Sequence, residues 1–139
     1  MKKKSISQLE QTHLLNVDLD VRVKAGLKLL IEAFGRGAHC VHQSRTFAVL
    51  ELNKQTATAE ATVMGFVKLI NGLPPSALRI WNSCSLRSMN IGIQSGMEPN
   101  NAEFKISNKA LKAATDCGVQ LVFTVYAPEK ISKRSAKSA

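Results

Sequence analysis

Asp18 and Asp20 stand two residues apart in Asn16-Val17-Asp18-Leu19-Asp20-Val21. A strand would point both carboxylates to one face, about 6.6 Å apart by the rise of two residues. Carboxylates at that separation can share a proton, hold a cation or accept hydrogen bonds from a partner. Acid–base catalysis would need a third group, and no His, Glu or further Asp stands at a motif spacing from the pair, which reads as part of a solvated polar face beside Arg22. His39-Cys40-Val41-His42 also has metal-ligating residue types. In an unbroken strand His39 and His42 face opposite sides and only Cys40 and His42 share one, so two ligands are offered where structural zinc takes four. No metal and no cofactor is expected.

Nucleophilic chemistry has little to work with. Cys40, Cys84 and Cys117 are odd in number, far apart and set among apolar residues, which suits reduced, buried thiols rather than a disulfide framework. Nothing flanking them would lower a thiol pKa in a recognisable way. Gly35-Arg36-Gly37 and the segment from Gly92 to Gly96 match neither a phosphate loop nor a dinucleotide fingerprint. No catalytic residue is assigned, and an enzyme of hydrolase type would need a third group brought to Asp18 and Asp20, or to Cys40 and His42, by the fold.

The elements that would position these residues follow from hydrophobic periodicity. Val17, Leu19, Val21 and Val23 alternate with Asn16, Asp18, Asp20 and Arg22, predicting a half-buried strand over 16–23. Leu27, Leu30, Ile31 and Phe34 predict a helix over 24–34 closed by Gly35. Residues 39–53 read as extended, with Gln43-Ser44-Arg45 either a bend between two short strands or part of a longer one. Val63, Phe66, Val67 and Ile70 predict a helix over 58–71 ending at Gly72, and Pro75 suits the first turn of another helix running through Cys84. Met89, Ile91 and Ile93 alternate with Asn90, Gly92 and Gln94 in a further strand. Ser107 caps a helix that Gly118 closes, with Ile106 and Leu111 placed as a hydrophobic staple. Val119–Tyr126 is the last strand, stopped by Pro128.

The opening and closing strand–helix–strand stretches resemble each other. Two such units joined by a helical pair predict an α+β fold of ferredoxin-like, split β-α-β type: a mixed or antiparallel sheet with helices packed on one face. One domain over 13–128 suits a chain of 139 residues that is 45% hydrophobic. A basic tail is expected over 1–12 and a basic, disordered tail over 129–139. Lys2, Lys3 and Lys4, with Lys130, Lys133, Arg134 and Lys137 against Glu129, supply two thirds of the net charge of +9, so the folded part is mildly basic. No apolar run is long enough to span a bilayer, no signal-peptide core follows the first lysines, and a cytoplasmic, membrane-free protein is expected.

The alternation leaves one polar face: Asp18, Asp20 and Arg22 with Asn16, then Asn90 and Gln94, then Thr124 and Tyr126 with Gln120. That face, or an exposed strand edge, is the expected binding surface for a protein partner or a second copy, in a non-enzymatic interaction module. Nucleic acid is a less favoured partner, reached only through the basic tails, because the basic-aromatic pattern of RNA-binding sheets is absent.

Asn16-Val17-Asp18-Leu19-Asp20-Val21, Asn90-Ile91-Gly92-Ile93-Gln94 and the closing Gly118-Val119-Gln120-Leu121-Val122-Phe123-Thr124-Val125-Tyr126-Ala127 together resemble a family of small bacterial α+β domains of unknown function. The resemblance covers about residues 14 to 128. It implies a bacterial α+β domain and brings no activity or site residues with it.

Overall fold

Period-two burial organises the computed structural model, which describes residues 11–54, 56–97 and 101–128. The elements run β1 (His13–Arg22), α1 (Leu27–Phe34), β2 (Ala38–Gln43), β3 (Phe47–Leu52), α2 (Ala59–Asn71), α3 (Pro75–Ser83), β4 (Leu86–Gln94), α4 (Asn108–Asp116) and β5 (Gln120–Tyr126). The end segments 1–10 and 129–139, which hold the basic clusters, lie outside the described residues. Among the described residues no helix is long and apolar enough to cross a membrane.

Among the described residues the fold is α+β, an open five-stranded sheet in the order β2-β3-β1-β4-β5 with four helices. It is a mixed sheet: β2–β3, β3–β1 and β1–β4 are antiparallel and β4–β5 is parallel. The two strand–helix–strand stretches therefore resolve differently. β4 and β5 are direct neighbours joined by α4, whereas β1 and β2 are held apart by β3, which turns back from β2 through residues 44–46 to pair with both. The stretch Gln43-Ser44-Arg45 is thus the end of β2 and the start of a hairpin turn, not the middle of one long strand.

Every strand residue in the core comes from one row of the sheet. Val17, Leu19 and Val21 of β1, Ala48 and Leu50 of β3, and Met89, Ile91 and Ile93 of β4 pack against Leu30, Phe34, Val63, Phe66, Ile70 and Trp81 of the helices. The register places Leu19 opposite both Leu50 and Met89, so alternation in three strands agrees and the greasy row is continuous. Trp81 meets Phe34 edge to face, ring centres 6.2 Å apart, and its indole N–H donates to the Cys117 carbonyl at 3.0 Å, which satisfies the polar end of a buried aromatic.

Caps fix the helix ends. Thr58 Oγ1 accepts from the Ala61 N–H and Ser107 Oγ from the Ala110 N–H, both at 3.1 Å. The helix expected from residue 24 starts instead at Leu27, because Gly26 takes φ +88°, a left-handed conformation that a helix cannot include. Of the three cysteines only Cys84 is fully buried; Cys40 and Cys117 are half-buried, and all three are free, which corrects the expectation of three buried thiols.

Candidate functional site

The row opposite the core is the candidate site. Register sets Asp18 beside Asn90 and Asp20 beside Ser88 on β4, Asp20 beside Val49 on β3, and then Asn90 beside Val122, Gly92 beside Thr124 and Gln94 beside Tyr126 on β5. Asp18, Asp20, Arg22, Asn90, Gln94, Thr124 and Tyr126 therefore share one side of the sheet. They do not form one cluster: the carboxylates and Asn90 lie in the middle, Arg22 at one end, Gln94 and Tyr126 at the other.

The centre is a carboxylate–amide group that includes a residue not singled out from the sequence. Asn16 Nδ2 donates to Asp18 Oδ1 at 2.9 Å and to Glu51 Oε2 at 3.0 Å, so one amide bridges carboxylates from adjacent strands. Gly92 makes this possible, because a Cβ there would stand 3.0 Å from Asn16 Oδ1. On the far side of Glu51, His39 Nε2 lies 3.9 Å from Oε1, and His39 Nδ1 is 2.6 Å from Asn53 Oδ1. Toward β5, Thr124 Oγ1 donates to Asn90 Oδ1 at 2.7 Å.

Charge is poorly compensated here. Burial, with the neighbouring charges of Asp20 and Glu51, raises the Asp18 carboxyl to about 6, and burial raises that of Asp20. Asp20 Oδ1 is shut off from solvent and receives no hydrogen bond among the described residues. Arg22 does not relieve it: its guanidinium stacks over Phe47, 4.9 Å from the ring centre.

Two expectations need correction. Gln94 is not presented to a partner; it is 8% exposed, and its Nε2 donates to the carbonyls of Ala127 at 2.7 Å and Ser95 at 3.1 Å, clamping the ends of β4 and β5. His39 and His42 share a face: they lie opposite Glu51 and Val49 with a bulge between Cys40 and His42, and the extra residue resets the alternation. Cys40, opposite Leu50, points to the core row instead. The histidines are nonetheless split in use, His42 packing near Phe47 and His39 meeting Glu51. Among the described residues no group of three His, Cys, Asp or Glu side chains could hold a metal ion.

Glu51 had a signal in the sequence. It is the single charged residue of Phe47–Leu52 and alternates with Ala48, Leu50 and Leu52, which marks it as facing away from the core. A cavity of about 40 Å³ lined by Asn16, Glu51, Lys54 and Thr56 opens beside it, room for water rather than a substrate. The chain matches no protein-family model, no curated protein and no solved structure.

Proposed function

We propose that the chain is a non-enzymatic, cytoplasmic binding module whose open sheet face receives a protein partner that supplies N–H donors. The observation that carries this reading is the Asp18–Asn16–Glu51 group with Asp20 beside it: partly desolvated carboxylates bridged by one amide, on the side of the sheet away from the helices. Lysine or arginine side chains of a partner complement such a group. The small volume of the adjoining cavity favours a partner surface over an enclosed substrate.

We read the architecture as a split β-α-β unit with an addition. The run β2-β3-β1-β4, antiparallel throughout, supports that reading, and β5 extends it in parallel through α4. Replacing Asp18 and Asp20 by Asn and Tyr126 by Ser together should abolish capture of the partner on the immobilised chain while its circular dichroism stays unchanged. Equal capture by a folded triple variant overturns the reading.

A further inference from the structure

The two edges of the sheet are finished differently. β2 carries His39 and His42 and is broken by a bulge after Cys40, a device that spoils an edge for pairing. β5 has no bulge: it keeps continuous register with β4 from Gln120 to Tyr126, and Gln-Leu-Val-Phe-Thr-Val-Tyr contains no charge and no proline. Half of the large hydrophobic side chains exposed in the described structure sit on β5 and the adjoining α4: Leu111, Val122, Phe123 at 50%, Val125 at 62% and Tyr126.

The direction of the β5 backbone groups that have no partner among the described residues follows from one bond. The Tyr126 carbonyl accepts from the Ser95 N–H, on the β4 side. Backbone groups alternate along a strand, so Leu121, Phe123 and Val125 turn theirs outward. We propose that a second copy of this chain fills that edge, β5 pairing antiparallel with its equivalent about a two-fold axis at Phe123.

The strand matches itself under that axis. Phe123 meets Phe123 of the second copy and Leu121 meets Val125, each pair exchanging both N–H···O=C bonds, with their side chains on the helix side. On the other side Val122 meets Thr124 and Gln120 meets Tyr126. A charge-free strand suits self-association in a chain of net charge +9, because the contact brings no like charges together. The axis also sets the two α4 helices antiparallel, with Asp116 of each already paired to Lys112 of its own helix at 2.9 Å. The apolar groove lined by Phe104, Ile106, Leu111, Leu121 and Phe123 runs along the same seam. The pairing is isologous and closed, giving a dimer and no fibre. It uses the sheet edge and leaves the Asp18, Asp20 and Glu51 carboxylates free, sharing only Thr124 and Tyr126 with the site residues named above, so replacing Asp18 and Asp20 alone by Asn tests that face without touching the dimer seam.

Sedimentation equilibrium of the full chain tests this, expecting a reversible monomer–dimer equilibrium. Phe123→Lys places two ammonium groups on the axis and should raise the dimer dissociation constant on the order of 100-fold, while Val41→Lys on the β2 edge leaves it unchanged. Hydrogen exchange of the unsubstituted chain gives a readout that needs no variant: the Leu121, Phe123 and Val125 amides should be protected at high concentration and exchange faster on dilution. A chain that stays monomeric, or a dimer in which those three amides exchange freely at every concentration, overturns the proposal.

Discussion

Along β1 one backbone builds two surfaces that follow different rules. Leu19 is fully buried between Leu50 and Met89, within the apolar core cluster. One residue to either side, burial raises the carboxyls of Asp18 and Asp20 above the usual range, and Asp20 Oδ1 receives no hydrogen bond among the described residues. The helix side is settled by packing, since its side chains gain from leaving water. The open side keeps charged groups where the fold alone would favour neutral ones, at a cost in stability.

The largest effect should come from the helix side. Leu19→Ala opens a cavity at the meeting of three strands and should cost about 3 kcal/mol, within the usual range for a buried leucine, read as a fall in the urea unfolding midpoint with unchanged slope. A loss below about 1 kcal/mol would mean that this row is not tightly packed, and the contrast between the faces would dissolve.

Asp18→Asn should act in the opposite direction. With the folded carboxyl raised to about 6 against an ordinary 3.8, the folded chain holds a proton between those pH values that the unfolded chain has released. The associated stability is full below about 3.8 and is lost as pH rises through about 6. At pH 7 the ionised carboxylate therefore costs stability, and replacement by the neutral amide should gain about 1 kcal/mol once solvent screening of a half-buried group is allowed for. The gain should vanish near pH 3, and unfolding midpoints across pH 3–8 for both proteins would show it. An Asp18→Asn chain less stable than the parent at pH 7 would mean that the carboxylate is held by a cation or by a donor beyond the Asn16 amide.

These two residues also mark what could be read ahead of the structure. Leu19 and Asp18 were assignable to opposite faces because alternation is a local property of β1, and Ser107 was identifiable as a cap because its partner lies three residues on. The bridge from Asn16 to Glu51 spans 35 residues and depends on β3 lying beside β1, which no local pattern encodes. The bulge that puts His39 on the side of Glu51 is likewise invisible to a strict two-residue period. Gln94 shows a further limit: the period gave its face correctly, yet whether a polar side chain reaches solvent or folds back onto the carbonyls of Ser95 and Ala127 is decided by the strand ends around it.

The smallest effect refines the contrast most. Thr124→Val keeps the shape of the side chain and its fit to a strand while removing the hydroxyl that donates to Asn90 Oδ1 at 2.7 Å. Both groups are half-buried, so water can replace the lost donor in part, and the cost should be about 0.5–1 kcal/mol. If the open face acts as a recognition surface, the same substitution should leave the fold nearly as stable while changing what the amide of Asn90 can offer, since its oxygen is freed to accept from a partner. The ratio of this loss to that of Leu19→Ala, measured by urea unfolding in the same buffer, compares the two faces directly. A Thr124→Val penalty as large as the leucine cavity would show that the polar row holds the sheet together as strongly as the core does, and the open face would then be a structural network in its own right.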